Sequence, residues 1–329
     1  MHLQAIDIAP LLGPSSPVER ARVARQLHKA CSETGVFYVT GHGIDTSSFV
    51  ARMAEFFALP QDRKLAVAVA PGGFTRGYIG IGEESGSDAL EVKEAFSYGY
   101  PWDPDRPTQN SMQGPNVWPD PSWLSMGWRA AMEGCYEALC KIADGLARGF
   151  SLANEREEDW LSGFCRGGET ISLMRLFHYF PYERAAERFP DRHDRIGSSA
   201  HTDWGFLTLI VQQDDVCGLQ VMQDGEWHDV APLPGALVVN CGDYFSLLTK
   251  GRYVSPLHRV VAGSRERLSG VFFYYPAHDA SIPTLGRQSY SLLQNQQVHG
   301  GEIDAARIAG SSFGDFIAEK WRQVQRPRA

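Results

Sequence analysis

The 329-residue sequence has no excess of basic charge: 31 Lys and Arg stand against 39 Asp and Glu, a formal net charge of −8. Gripping nucleic acid needs a basic footprint, so that partner class is excluded. No apolar run reaches the length that spans a bilayer. The first residues, Met1-His2-Leu3-Gln4-Ala5-Ile6-Asp7, lack the basic and apolar blocks of a secretory signal. The six cysteines (31, 135, 140, 165, 217 and 241) are scattered, with no Cys-x-x-Cys pair. That spacing supports neither a zinc ribbon nor a disulfide framework, and the expectation is reduced core thiols in a cytoplasmic protein. Internal repeats and low-complexity tracts are also missing. A monomer or weak homodimer acting on a small molecule is expected.

What is present is a globular composition, 43% hydrophobic and 21% charged. Ser16-Pro17-Val18-Glu19 reads as a capping box opening a helix that Gly35 stops. A buried strand at 36–39 follows, and then a helix from about Asp45 to Leu59. The Gly/Pro-rich stretch from Pro71 to Pro121 reads as loops with one strand at 94–98. A long amphipathic helix is expected over 122–150, carried by the stripe Leu124, Trp128, Ala131, Cys135, Leu139, Ile142, Leu146 and Phe150. From Glu169 the period changes to short strands (171–180, 205–211, 218–222, 226–230, 236–240 and 268–275), which suggests a sandwich or barrel. A last helix is expected over 312–325. The division is a helical and loop region over 1–120, then 121–329 with the β core at about 169–280, in one compact α+β unit.

The chemistry-bearing segment is His201-Thr202-Asp203. On an extended strand residues two apart share a face, so both side chains can aim at one point. His258, 55 positions after Asp203, offers a third ligand on a later strand. Two imidazoles and one carboxylate on one side of an octahedral ion leave the other side open, the arrangement of non-haem iron(II) oxygenases. Zinc accepts the same ligand types, so the three residues alone do not fix the metal. Imidazoles must be neutral to ligate, so metal binding is expected to weaken as pH falls into the ordinary histidine range.

The flanking sequence is more specific. Gly35-Val36-Phe37-Tyr38-Val39-Thr40-Gly41-His42-Gly43-Ile44, Arg175-Leu176-Phe177-His178-Tyr179-Phe180-Pro181, Gly218-Leu219-Gln220-Val221, Asn240-Cys241-Gly242-Asp243, Ser255-Pro256-Leu257-His258-Arg259-Val260 and Arg267-Leu268-Ser269 occur in order around the His-x-Asp pair. This set resembles the isopenicillin N synthase-like branch of the iron(II)/2-oxoglutarate dioxygenases, over roughly Gly35 to Tyr275. The resemblance implies a double-stranded β-helix (jelly-roll) core and iron(II) on His201, Asp203 and His258. It further implies that Arg267, Ser269 and Tyr179 hold the far carboxylate of 2-oxoglutarate. Dioxygen would be consumed and succinate and carbon dioxide released, with hydroxylation of a small organic molecule the default outcome. Phe180 stands where relatives often have proline, a departure expected to alter a turn.

Burying a carboxylate demands a charged, hydrogen-bonding partner, which an arginine fork supplies. Alone, Arg267 reads as part of a polar surface turn and Tyr179 as a core tyrosine. His42 reads as a turn residue, His228 as part of a hairpin, and His178 as facing away from Tyr179. Asn240 and Asp243 are expected to fix a turn near the metal. The substrate pocket is expected from the loops between Gly72 and Asp88 together with Phe96, Phe206, Phe272 and Tyr274. Three other readings stay open: an oxidase of the isopenicillin N synthase type that uses no 2-oxo acid, a zinc hydrolase, and a non-catalytic jelly-roll binding protein.

Overall fold

In the computed structural model the described residues are 3–70, 76–84, 89–191, 193, 195–281 and 310–324. The strands are β1 (Ala5–Asp7), β2 (Val36–Thr40), β3 (Gly77–Ile79), β4 (Leu90–Glu91), β5 (Lys93–Gly99), β6 (Leu173–Tyr179) and β7 (Arg195–Ile196). They continue as β8 (Ser198–His201), β9 (Leu207–Gln212), β10 (Leu219–Gln223), β11 (Glu226–Asp229), β12 (Leu237–Cys241), β13 (His258–Val260) and β14 (Arg267–Tyr274). The helices are α1 (Ala9–Leu12), α2 (Pro17–Glu33), α3 (Thr46–Phe57), α4 (Gln61–Leu65), α5 (Trp128–Ala153), α6 (Trp160–Cys165), α7 (Tyr182–Arg188), α8 (Asp243–Leu248) and α9 (Phe313–Val324).

Local chemistry accounts for the element ends. Ser16 and Glu19 exchange hydrogen bonds in a complete capping box ahead of Pro17, worth about 1 kcal/mol to α2. Gly35 closes the helix at φ +72, and a Cβ there would sit 2.1 Å from the Val254 carbonyl oxygen. Asp45 caps α3 by accepting the Ser48 N–H at 3.0 Å. The long helix begins later than the periodicity indicates: α5 starts at Trp128. Ser122 instead lies in a short 3-10 turn capped by Asp120, and Gly127 at φ +79 precedes the first helical residue. The apolar residues Trp123 and Leu124 pack on the core without being helical, which is why the stripe extended too far back. Of the 312–325 helix, residue 325 lies outside the described residues, as do 71–75 and 85–88 of the expected pocket loops and the tail at 282–309.

Eight strands make one sheet in the order β1-β2-β12-β9-β14-β6-β5-β3, and four make a second in the order β11-β10-β13-β8. Pairing is antiparallel in both except at β1–β2. The N-terminal strands β1, β2, β3 and β5 continue the sheet that holds β6, β9, β12 and β14, so the helical N-terminal region is stitched into the core. The large sheet therefore has two different faces. One packs on α2, α3 and α5 through the main apolar cluster, including Phe37, Phe56, Phe96, Leu176, Leu209 and Phe272. The other meets the four-stranded sheet through a smaller cluster with Phe177, Tyr179, Ile210, Leu219, Val221 and Val260. Between the two sheets lies the cavity that carries the polar residues.

Candidate active site

β8 ends at His201, and Asp203 stands in the loop just beyond it, so the pair is set by a strand end and not by a continuous strand face. His258 opens β13 and pairs in register with His201. One ligand atom from each of His201, Asp203 and His258 falls within 4.8 Å of the others, the one group of metal-binding type found among the described residues. Asp203 Oδ1 lies 3.7 Å from His201 Nε2 and 3.8 Å from His258 Nε2. Each imidazole donates its Nδ1–H to a carbonyl two residues back, His201 to Ser199 at 2.7 Å and His258 to Pro256 at 3.0 Å. That tautomer, inferred from these partners, turns both Nε2 lone pairs toward Asp203. The donor set suits a divalent ion with two nitrogens and one oxygen on one side.

The carboxylate is fixed from behind. Asn240 Nδ2 donates to Asp203 Oδ2 at 2.7 Å, and the Asp243 N–H donates to the Asp203 carbonyl at 2.7 Å. The Thr202 hydroxyl donates a hydrogen bond to Asp243 Oδ2 at 3.1 Å. Asn240 and Asp243 thus hold the ligand loop, as their sequence position suggested. Gly242 allows this contact, since a Cβ there would lie 2.2 Å from the Gly205 carbonyl oxygen. Burial pushes the Asp203 pKa upward, but His258, His201, Thr208 and Asn240 outweigh it and hold the group below the usual carboxylate range. Burial, reinforced by His258, lowers His201 to about 4 against the pull of Asp203. Protons therefore compete at His201 well below the ordinary histidine range, lower than expected from the residue type alone.

Arg267 projects from the start of β14 into the same cavity and is 3% exposed. Its strand neighbour is Tyr179, whose ring centre lies 5.1 Å from the guanidinium carbon. Nη2 donates to Gln212 Oε1 at 3.0 Å and Nη1 reaches Ser269 Oγ at 3.5 Å, while Nε has no partner. Gln212 Nε2 is likewise unpartnered. Arg267 makes no ion pair among the described residues, and burial lowers its pKa, opposed mainly by Tyr179. A buried cation with spare donors fits a carboxylate guest.

The pocket aromatics fall elsewhere. Phe96 is fully buried against Phe56, its ring centre 4.3 Å away, and Phe206 packs at 4.4 Å on Phe245. Phe272 meets Tyr136 edge-on at 5.2 Å, and Tyr274 lines a shallow depression with Cys140 and Cys165 on the helix side. All four belong to the wrong side of the sheet. The residues that line the cavity with His201 and Asp203 are instead Phe273, Tyr275, Trp204 and Trp321, with Arg175, Lys93, Glu84 and Glu91. Strand parity would have found two of them: Phe273 is four residues from Ser269, and Arg175 four from Tyr179. Trp321, on α9, had no such signal.

Other histidines keep to structural work. His178 faces away from Tyr179 and donates from Nδ1 to Glu94 at 2.9 Å. His42 Nε2 lies 2.9 Å from the Gly235 carbonyl oxygen, and His228 sits in the β10–β11 hairpin.

Residues 170–276 match the model described as the 2OG-Fe(II) oxygenase superfamily, and residues 3–121 match the N-terminal model of the non-haem dioxygenase in morphine synthesis. A protein named homoarginine-6-hydroxylase from Arabidopsis thaliana is 35% identical over 97% of this chain and 96% of its own. The chain belongs to the 2-oxoglutarate/iron(II) oxygenase superfamily. A 2-oxoglutarate-Fe(II) type oxidoreductase of Emericella nidulans is 32% identical over 82% of this chain and 78% of its own. Among solved structures, a full-length Neurospora crassa protein crystallised with alpha-KG superposes with a TM-score of 0.76 at 22% identity, covering 97% of this chain and 95% of that one. A 2OG-Fe(II) oxygenase family protein of Caulobacter crescentus gives 0.74 at 24%, covering 98% and 99%. The fold shared with this oxygenase is the double-stranded β-helix, and the chain is an oxidoreductase dependent on iron(II), 2-oxoglutarate and dioxygen. Among the described residues no helix is long and apolar enough to cross a membrane.

Proposed function

We propose that His201, Asp203 and His258 hold the iron of this oxygenase and that Arg267, Ser269 and Tyr179 hold the far carboxylate of 2-oxoglutarate. The observation that carries the reading is Arg267: a buried guanidinium with a free Nε–H and only neutral polar neighbours, in the cavity that also contains the triad. Leaving such a cation unpaired is costly, and a guest carboxylate removes the cost. When bound, iron(II) would let dioxygen act as the oxidant, taking two electrons from the 2-oxo acid, which leaves as succinate and carbon dioxide, and two from a substrate C–H bond.

The protein's own residues do the rest. Asn240 and the Asp243 N–H keep Asp203 in place, and the Ser199 and Pro256 carbonyls keep both imidazoles in the ligating tautomer. Trp204, Phe273, Tyr275 and Trp321 wall off the space beside the triad, where a small molecule is positioned and water excluded. The ordered segments around the triad favour the isopenicillin N synthase-like branch, and six free thiols suit a cytoplasmic location. Homoarginine is the natural first compound to try, given the Arabidopsis relative. The deciding measurement is succinate released per product formed. A ratio near one supports the assignment, whereas product without succinate means that Arg267 holds a substrate carboxylate in an oxidase.

A further inference from the structure

Two ion pairs stand in the wall of the cavity beside the triad, and they are anchored differently. Lys93–Glu91 is engaged on several sides: Glu91 also accepts the Ser199 N–H at 2.9 Å, and Lys93 also reaches Ser198 Oγ at 3.3 Å. The second pair is a two-pronged contact, Arg175 Nη1 to Glu84 Oε1 at 3.2 Å and Nη2 to Oε2 at 2.5 Å, with the side chains 7% and 11% exposed. Arg175 is held in the middle of β6. Its Nε donates to Ser97 Oγ at 3.1 Å, and its guanidinium carbon lies 5.0 Å from the Phe177 ring centre and 5.7 Å from that of Trp321. Glu84 stands in the segment after β3, outside any strand, and makes no other hydrogen bond to a described side chain. A fixed cation is thus met by an anion on a loop.

The charges in this space balance. Glu84 and Glu91 offset Lys93 and Arg175, and Asp203 offsets Arg267. An iron(II) dication and a 2-oxoglutarate dianion cancel as well, so the loaded site has no net charge for a substrate to neutralise. An anionic substrate that took Arg175 would strand Glu84 inside the cavity, and a cation that took Glu84 would strand Arg175. A stranded buried charge costs more than a single new pair returns. A molecule bearing both charges replaces each partner with one of its own.

We propose that the Glu84–Arg175 pair selects the prime substrate, and that this substrate is a small amphoteric molecule whose carboxylate meets Arg175 and whose cationic nitrogen meets Glu84. The aromatic walls of Trp204, Phe273, Tyr275 and Trp321 take the carbon skeleton between the two ends. The assignment rests on the cavity beside His201 and Asp203 being the place of oxidation.

The test uses the full chain loaded with iron(II) and 2-oxoglutarate, titrated calorimetrically without oxygen. The probes are free amino acids with apolar and basic side chains, homoarginine included, each paired with its carboxyl amide. Succinate release in air is read on the same compounds. At least one free amino acid is expected to bind and to raise succinate release, and amidation of its carboxylate to weaken binding about 30-fold or more. Arg175→Gln should weaken the free acid by a similar factor but not the amide, which no longer strands the arginine, so that the preference for the acid is lost. Glu84→Gln should weaken both, and neither variant should shift the 2-oxoglutarate KM. Arg175→Lys and Glu84→Asp replace any glutamine variant whose melting shows that it does not fold. An Arg175→Gln variant that keeps the parent's preference for the acid over the amide overturns the proposal, as does a panel without a binder on protein that takes up iron and 2-oxoglutarate normally. Failure of 2-oxoglutarate to bind the iron-loaded protein would instead overturn the reading of the site itself.

Discussion

Neighbouring residues of one strand serve opposite ends in this molecule. Along β14, Arg267, Ser269, Val271 and Phe273 line the cavity, whereas Phe272 and Tyr274 pack in the main core, and Gly270 abuts Met174, Phe49 and Met53. β6 divides likewise, with Arg175, Phe177 and Tyr179 on the cavity and Met174, Leu176 and His178 on the helix side. The helix side is aromatic and close-packed, and its composition follows from burial alone. The cavity side holds two arginines, a lysine and three acids where apolar residues would be less costly to bury. Charges kept against that cost mark where ligands are handled.

The comparison breaks most sharply at the metal. His258→Ala or Asp203→Ala should abolish iron binding and turnover while far-UV circular dichroism and melting stay near the parent's. Both imidazoles must be neutral to ligate, so iron affinity of the parent should fall as pH drops, with burial moving the His201 share of that competition down to about 4. An iron affinity unchanged from pH 7 to about 4 would contradict ligation by histidine. Next comes Arg267→Ala, which strands a guest carboxylate and should raise the 2-oxoglutarate KM by about 100-fold or more, from the ~3–5 kcal/mol of a broken buried pair. Arg267→Lys should recover part of this, since a point charge lacks the fork. On the other face Phe272→Ala should cost about 3–5 kcal/mol of stability and leave iron affinity unchanged. If Phe272→Ala instead loosened iron while sparing the melt, the two faces would not be separable.

This division also explains what the sequence made legible. The triad, Arg267 and Ser269 were legible through the ordered family segments around them, whereas period-two geometry alone carries the opposite directions of His178 and Tyr179. The pocket aromatics went to the wrong face because Phe272 and Tyr274 were picked by residue type; the parity already assigned to Ser269 points to Phe273. Lys93 and Glu91 stand two apart in sequence, yet Ser198 and Ser199 of β8, which they contact directly beside the β4–β7 pairing, lie 105 and 108 positions away. Trp321 reaches the cavity from a helix near the other end of the chain. Long-range pairing of that kind leaves no periodic trace. The start of α5 at Trp128 was missed for a local reason, since Gly127 in the left-handed region ends the pattern that Leu124 and Trp123 seem to extend.

The smallest effect expected on the cavity side is a pH slope in stability from the Lys93–Glu91 pair. Burial alone would raise the Glu91 pKa, but Lys93 and the Ser199 N–H reverse it and hold the carboxyl down to about 2, against an ordinary 4.5. A carboxyl depressed in the folded state contributes stability that is whole above its unfolded pKa and is lost as pH falls toward the folded one. The window is therefore about pH 4.5 down to about 2. Glu91→Gln keeps an acceptor for the Ser199 N–H but strands the Lys93 ammonium, so the variant should melt lower than the parent at neutral pH. As acid protonates Glu91 in the parent, the same stranding occurs there, and the two melting curves should converge across that window. A melting difference constant from pH 7 to 2.5 would mean that Glu91 fills space on this face without its charge mattering, and the cavity side would then differ from the helix side only at the ligands.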